Sequence, residues 1–523
     1  MTSHRTPDVA LAGRWFALGS IVTLCLVAPG CGGSNGDRKT QETHARDQSA
    51  SQQPNETSPQ QNVNRKTAGA IIPEIPRKTA PEDTGEREHV PDDPKTPVLQ
   101  PRTLFRPSDR RPKHDDVALA KRGIYRYASK RLVLYTDLDP KVARTLPPIL
   151  DAAYRAWEAY FGKLPANRER TPFQVTGYLM VDKARFEAAR LIPGDLPKFV
   201  NGRHRGYRFW MYDPQWAYYR RHLMIHEATH CFMYCIRDGR FPEWYMEGMA
   251  EYFGMHRRDE TGKYHFGVMP HAYKDFVGLG RIEYVQRDAR QGRPFSIQDV
   301  AKKLTAPAFV HNRAYAWSWA LCRFFDSHPR YRKRFRALGR IHSSRGFEQE
   351  FAQLISDESP HVFSEWILFA GGLCYGYDAA SAAMDVKPGD ALAIGHAPRT
   401  FTLRADRGWQ SSGVWVDQGQ SVEITASGQF ELAQKPKPWV CEPQGVSITY
   451  FQGRPLGELT AVIVPDSKKS LPITVPTLRS VPVGRKAVVV APIKDTLYLR
   501  VNDSFAKLSD NTGGLKVTLR RVK

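Results

Sequence analysis

Cysteine is scarce in this chain, so a disulfide framework is excluded. Only seven of the 523 residues are cysteines, and two of these fall within the first 31 residues. The remaining five form an odd and widely spread set, for which at most one or two bridges are expected. Cys231 and Cys235 lie four residues apart, and we interpret them as small buried residues rather than thiolate metal ligands.

A hydrophobic run long enough to cross a bilayer comfortably is also missing at the N-terminus. The apolar stretch at residues 15–27 follows two arginines and ends in the residues APGC, a pattern typical of an export signal. Small residues before a cysteine resemble the lipobox of bacterial lipoproteins, although Ala28 stands where leucine is usual. That resemblance implies a signal at residues 1–31 and lipidation of Cys31, which would tether the protein to a cell-envelope membrane, facing the periplasm or the surface. An ordinary cleaved signal peptide is the alternative.

Aromatic residues are almost absent between residues 32 and 116, where Gln, Asn, Ser, Thr, Pro and charged residues dominate. Such a composition cannot bury enough apolar surface to offset the entropy of ordering. We therefore expect residues 32–118 to form a disordered linker.

Acidic residues are too few to balance the basic ones, and the formal net charge is +22. Part of this charge lies in the basic run at residues 330–336, which we interpret as a solvated helix face. An exported basic protein can also contact anionic envelope polymers or lipid headgroups. A nucleic acid partner is not expected, because export removes it and no nucleic-acid motif accompanies the charge.

The hydrophobic patterning predicts an α+β fold in two domains, without internal repeats. Residues 119–372 are expected to form a small mixed sheet, a long helix and a helical subdomain, and residues 385–523 an all-β domain, expected to be a sandwich. Predicted strands are 131–136, 173–181 and 206–212, and predicted helices include 140–161, 216–237, 314–327 and 330–341, with an almost wholly helical pattern from about 240 to 370.

A metal-binding motif occupies the predicted helix 216–237. In His226-Glu227-Ala228-Thr229-His230 the two histidines are four residues apart, so both imidazoles lie on one face of the helix, one turn apart. Two ring nitrogens can therefore bind one zinc ion. The Glu227 carboxylate flanks the remaining coordination position, where it can take a proton from water and deliver it to a leaving amine.

A second pair of acidic residues follows at the spacing that a zinc site needs. Phe241 and Pro242 end the metal helix, and Glu247 and Glu251 then lie on one face of a following helix. Glu247 is the expected third ligand, and Glu251 is placed to accept the free ring N–H of a ligand histidine. A histidine pair or a glutamate pair alone is more often part of an ordinary helix surface. The chance occurrence of both pairs, separated by a helix break and in the order that a zinc site requires, is improbable.

These residues resemble a known enzyme family. The HEATH motif followed by Trp244, Glu247, Gly248 and Glu251 is similar to the gluzincin branch of the zincins, the peptidase MA-like superfamily, and to DUF1570-type proteins of planctomycetes. The resemblance covers about residues 126–370 and implies a zincin-like fold and a peptide or protein substrate. It further implies that the strand at 207–212 is the edge that aligns an extended substrate.

Gluzincins usually supply a Tyr or His that hydrogen-bonds the developing oxyanion. Tyr315 resembles a tyrosine that recurs downstream in such domains, and we name it for this role. A core aromatic residue on a helix rich in Trp and Phe is the alternative.

The C-terminal part resembles the calcium-dependent galactophilic lectins of the PA-IL type over about residues 400–522. Asp503, Asp510 and Asn511 provide hard oxygen ligands on one loop, the kind that Ca²⁺ binds, although such residues also make simple turns. The sugar-contacting His and Gln of the lectins have no counterpart after Gln444 and Gly445, where a plain strand follows. Calcium is therefore expected more than galactose.

Together these features predict an exported, lipid-anchored zinc metallopeptidase with a C-terminal β-sandwich binding module that docks on envelope glycan or protein. The alternative is a catalytically silent envelope protein of zincin fold whose lectin-like domain binds carbohydrate or protein. The intact Glu227 argues for the enzyme, because a scaffold has no need of a general base.

Overall fold

The computed structural model describes residues 105–237, 241–276, 280–387, 389–392, 397–435, 437–465 and 478–522. The expected signal at residues 1–31, the lipidated Cys31 and most of the linker at 32–118 lie outside the described residues. The end of that linker is described, and it packs on the folded body: Arg106 is buried and donates to the hydroxyl of Tyr207 at 2.7 Å. A first helix begins at Asp116, so the folded body begins before residue 119.

A five-stranded mixed sheet forms the first layer, with strand order β1-β2-β3-β5-β4. Its strands are β1 (Tyr125–Ala128), β2 (Leu132–Thr136), β3 (Val175–Met180), β4 (Gly202–Arg205) and β5 (Arg208–Tyr212). The central strands β2, β3 and β5 run parallel. Every residue of β2 and β3 is buried, as expected of strands that are covered on both faces.

The expectation that residues 207–212 form the edge of the sheet is wrong. Residues 207–212 form an inner strand, because β4 pairs with β5 antiparallel on its outer side. The sequence Gly202-Arg203-His204-Arg205 carries no β-branched or alternating apolar residue, so the usual strand signal is absent. An edge strand needs only one side of its backbone paired, and charged side chains are common there.

Helices cover the sheet and continue into a helical region. Their bounds are α1 (Asp116–Lys121), α2 (Pro140–Ala143), α3 (Leu146–Phe161), α4 (Lys183–Ala188), α5 (Ala217–Arg237), α6 (Glu243–Gly254), α7 (Arg281–Arg290), α8 (Ile297–Lys303), α9 (Asn312–Ser327), α10 (Arg332–Leu338), α11 (Ser344–Glu358), α12 (His361–Gly372) and α13 (Ala379–Ala382). The single helix predicted at 140–161 is divided at Arg144 and Thr145, because Pro147 lacks an amide donor and is favoured in the first turn of a new helix.

A short hairpin interrupts the region that was expected to be almost wholly helical. It consists of β6 (His256–Arg258) and β7 (Tyr264–Phe266). Its turn is held by the Asp259 carboxylate, which accepts from the amides of Thr261 and Lys263, and by Gly262 at φ +87°, a conformation that glycine adopts without strain.

The C-terminal region is all β, as predicted, and its two six-stranded sheets curl into a half-barrel around one apolar core. The strands are β8 (Asp390–Ala391), β9 (Arg399–Arg404), β10 (Gln410–Val416), β11 (Ser421–Ser427), β12 (Phe430–Glu431), β13 (Val440–Cys441), β14 (Gln444–Phe451), β15 (Arg454–Val464), β16 (Val481–Pro482), β17 (Lys486–Val490), β18 (Asp495–Val501) and β19 (Thr512–Arg521). Burial alternates along β11, which is the pattern of a strand with one face toward a core and one toward water.

The half-barrel shares part of its apolar surface with the helical region. Trp409, Tyr498 and Phe505 belong to the large core that contains the metal helix. Gly372, at the end of α12, makes this contact possible, since a Cβ there would lie 2.3 Å from the Phe505 ring. The two regions therefore pack against each other through a shared apolar core and are not joined by a linker alone.

The five described cysteines, Cys231, Cys235, Cys322, Cys374 and Cys441, are free thiols. Cys231 and Cys235 are buried core residues, as interpreted from the sequence. Among the described residues, no helix has both the length and the apolar character that a membrane crossing requires.

Candidate metal centre

The metal centre is built on α5, a helix whose central turns are almost wholly buried. His226 and His230 are 5% and 2% exposed, respectively. Their spacing of four residues places both rings on the same side of the helix. Their Nε2 atoms face each other at 3.1 Å, a contact that two neutral imidazoles make only if one of them carries its proton on Nε2.

Glu247 on α6 completes a triangle of donor atoms. Its Oε2 lies 3.2 Å from His226 Nε2 and 3.3 Å from His230 Nε2. Helix α6 reaches this position because Pro242 ends the preceding chain segment and begins a new helix. Gly248 lets the same helix press against α9, since a Cβ there would lie 2.5 Å from the carbonyl oxygen of Ser318.

These three residues fit a zinc ion. Ligands of a tetrahedral zinc at 2.0–2.2 Å lie about 3.3 Å from one another, and the three donor atoms are separated by 3.1 to 3.3 Å. The buried Glu247 Oε2 faces the Nε2 atoms of both histidines. A buried carboxylate oxygen that faces two imidazole nitrogens is suited to a cation bound between them.

The electrostatics of the centre favour positive charge between the carboxylates. Burial lowers the pKa of His226, but hydrogen bonding and Coulomb attraction from Glu247 and Glu251 outweigh burial and raise it to about 10. Burial raises the pKa of Glu247, but the imidazoles of His230 and His226 outweigh it and hold this pKa far below its usual range. The site therefore stabilises a cation at the position where the three donors meet.

Glu251 supports the ligand His226 from behind, at the position expected from the sequence. Its Oε1 lies 3.4 Å from His226 Nδ1, and its Oε2 lies 3.3 Å from His222 Nε2. Arg281 on α7 donates to both oxygens at 2.9 Å. This bidentate ion pair is fully enclosed and holds the carboxylate at a fixed angle to the His226 ring.

The Glu227 carboxylate lies beside the triangle, against the edge strand β4, and donor atoms of Glu227, His204 and His230 lie within 4.8 Å of one another. Its side chain is buried, and burial raises the pKa of its carboxyl group. A Cβ at Gly202 would lie 2.4 Å from Glu227 Oε1, so only glycine lets the strand approach this closely. His204, two residues further along β4, stacks on His230 at 4.4 Å, and its Nδ1 lies 3.8 Å from Glu227 Oε2.

Tyr315 on α9 lies near His226 and lines the same cleft. Its ring is 6.0 Å from that of His226 and stands under the guanidinium of Arg281 at 5.3 Å. Burial raises the pKa of Tyr315, and the carboxylates of Glu247, Glu251 and Glu227 raise it further. Burial and the neighbouring carboxylates therefore favour the protonated phenol, which can donate a hydrogen bond.

All these groups line one cleft of about 620 Å³. Residues 198–204, which include the first three residues of β4, line one part of it. Several residues between 306 and 315, before and at the start of α9, line another part. The helices α5, α6 and α7 contribute His226, His230, Glu247, Glu251 and Arg281. Since β4 is an edge strand, its outer backbone groups are available for pairing with an extended chain.

The residues predicted for calcium are only partly brought together. Asn511 Nδ2 donates to Asp503 Oδ2 at 3.0 Å, and both side chains are buried. Burial raises the pKa of Asp503. Asn511 Oδ1 is buried and has no partner among the described residues, and such an oxygen can bind a cation. Asp510 is exposed and interacts with Asp503 only through its charge. Calcium binding at this loop stays a prediction.

The sequence interpretation missed four residues around the centre: Gly202, His204, His222 and Arg281. His222 had a usable signal, because it precedes His226 by four residues and so faces the same side of α5. The other three lie on β4 and α7, outside the two metal helices, and only the tertiary fold brings them to the site.

No protein-family model and no curated protein matches this chain. Among solved structures, the EclA N-terminal domain, a PllA-like lectin, is 22% identical, covers 24% of this chain and 95% of its own, and gives a TM-score of 0.19. IMPa from Pseudomonas aeruginosa, solved in complex with an O-glycopeptide, is 11% identical, with a TM-score of 0.15. That match covers 46% of this chain and 22% of IMPa.

The first likeness loosely agrees with the lectin-like resemblance of the C-terminal region. Both TM-scores are too low to carry an argument about function, and nothing in these comparisons supports a zinc metallopeptidase family.

Proposed function

We propose that this protein is a zinc-dependent peptidase of the gluzincin type, with a zincin-like fold over the mixed sheet and the helical region. The observation that carries the proposal is the triangle of His226, His230 and Glu247, whose donor atoms lie 3.1 to 3.3 Å apart beside a buried Glu227. A zinc ion bound there supplies Lewis-acid polarisation of a carbonyl and lowers the pKa of water.

Residues of the protein itself bind the substrate, transfer the proton and stabilise the oxyanion. The edge strand β4 holds an extended peptide by main-chain pairing, with Gly202 allowing close approach to Glu227. The Glu227 carboxylate accepts a proton from the attacking water and then donates it to the leaving amine. Tyr315 donates a hydrogen bond to the oxyanion that develops on the scissile carbonyl.

The location and the C-terminal region complete the proposal. Lipidation at Cys31 would anchor the enzyme to an envelope membrane by its N-terminus. The half-barrel would serve as a binding module for envelope glycan or protein, with Ca²⁺ at Asp503 and Asn511.

Substitution Glu227→Gln tests the catalytic role. The amide keeps the volume of the side chain but cannot take a proton, so we expect zinc content to be unchanged and cleavage of a peptide library to fall about 100-fold or more. Glu243→Gln is the matched control, because Glu243 is an exposed carboxylate that lines the same cleft. A wild-type protein with one zinc per chain that cleaves no peptide would instead support the silent envelope protein.

A further inference from the structure

Apolar side chains are exposed in two separate segments that line the cleft. Val200, before β4, is 85% exposed, and Val310, at the end of the 3-10 turn Ala306–Val310, is 77% exposed. They rank first and third among the exposed large hydrophobic residues of the described chain. Single exposed valines are common on protein surfaces, but two that line one cleft indicate a surface that a ligand covers.

A phenylalanine precedes each valine and holds it in place. Phe199 stacks on Tyr212 with ring centroids 5.0 Å apart, and Phe309 meets Tyr315 edge-on at 5.1 Å. Both phenylalanines also line the cleft. Each of these two segments therefore presents a fixed apolar pair rather than a loose side chain.

We infer that the cleft selects peptides that carry bulky aliphatic or aromatic side chains beside the scissile bond, and that Val200 and Val310 are the selecting contacts. This inference rests on the proposed peptidase function and names its substrate class. An extended peptide along β4 would bring its side chains past Val200 on one side and Val310 on the other. Covering both valines removes apolar surface from water, which small or charged peptide side chains cannot do.

A membrane is another apolar partner that exposed valines can meet. The peptide is favoured because both valines line the same cleft as Glu227, Tyr315 and the free edge of β4.

The test measures peptide binding separately from cleavage. Zinc-loaded, full-length Glu227→Gln protein is titrated with fluorescein-labelled decapeptides that differ only at the two central positions, Leu-Phe in one and Ala-Ala in the other. We expect the Leu-Phe peptide to bind about 10-fold more tightly or better by fluorescence anisotropy. Adding Val200→Asp or Val310→Asp should remove that preference.

Val488→Asp is the control, because Val488 is 55% exposed on β17 of the half-barrel, and it should keep the preference. Equal binding of the two peptides would overturn the inference. It would also be overturned if the Val200→Asp and Val310→Asp variants kept the preference, as the control does. It would also fall if these variants altered binding to phosphatidylcholine vesicles instead of peptides. Cleavage is measured separately, with the protein that retains Glu227. If that protein cleaves neither peptide while the binding preference is intact, the peptidase function is contradicted and the proposed selectivity is not.

Discussion

At the scale of single residues, the metal centre depends on charged side chains that do not bind the metal but hold its ligands in place. Glu251 contacts His226, His222 and Arg281 while remaining buried. The carboxylate fixes the orientation of the His226 ring, and Arg281 fixes the carboxylate. Partners of this kind typically affect metal affinity by about 10- to 100-fold.

Arg281→Met tests this support. Methionine keeps much of the apolar volume but leaves Glu251 buried without its bidentate partner, so we expect zinc affinity to fall about 10- to 100-fold. Competition with a chelating indicator measures it. Arg336→Met is the matched control, since Arg336 makes a similar bidentate pair with Asp326 away from the cleft. Equal zinc affinity in both variants would contradict the assigned role.

The sequence alone predicted the residues of the centre that lie on two adjacent helices. His226, Glu227, His230, Glu247 and Glu251 follow each other closely, so helix periodicity and one proline break were enough to place them. Arg281 comes thirty residues later and carries no motif. Gly202 and His204 lie on a strand too short and too charged to be recognised. The pairing of that strand depends on the edge that β5 leaves open, which is a tertiary property.

At the scale of elements, the approach of α6 to α9 sets the position of Glu247. Gly248 is the contact point, and an added Cβ would lie 2.5 Å from the Ser318 oxygen and 2.6 Å from Cys322 Sγ. Both neighbours are buried, so neither can yield without moving a helix. The position of the third ligand is therefore coupled to the packing of two helices.

Gly248→Ala should push α6 away from α9. Overpacking of this kind costs about 1–3 kcal/mol, and we expect a lower Tm together with weaker zinc binding. Gly371→Ala in α12 is the control, because no atom lies within 4 Å of its added Cβ, and alanine there should stabilise by about 0.5–1 kcal/mol. Calorimetry gives both values. An unchanged zinc affinity in Gly248→Ala would contradict the coupling between the position of Glu247 and the packing of α6 against α9.

At the scale of the whole molecule, the half-barrel and the helical region share a core. Phe505 lies on the loop that also carries Asp503, and it packs against Gly372 and Tyr377. Gln286 on α7 donates to the carbonyl oxygen of Leu373, and α7 carries Arg281. The C-terminal region is therefore linked to α7 indirectly, through the end of α12. Periodicity predicted two domains but contained no information on the surface between them.

Phe505→Ala should loosen both regions at once. Removing a buried phenylalanine costs about 3–5 kcal/mol, and we expect faster amide exchange in α12 and α7 as well as in the half-barrel, measured by mass spectrometry. Leu519→Ala is the control, because Leu519 belongs only to the half-barrel core, and its effect should remain in that region. If exchange in Phe505→Ala rises only in the half-barrel, the shared core does not couple the two.

X-ray absorption at the zinc edge of the purified, zinc-loaded chain tests whether zinc binds His226, His230 and Glu247. We expect one zinc per chain with only nitrogen and oxygen neighbours at about 2.0–2.2 Å, two of them imidazoles. Sulfur neighbours at about 2.3 Å, which would indicate Cys231 or Cys235, or the absence of stoichiometric zinc would contradict it.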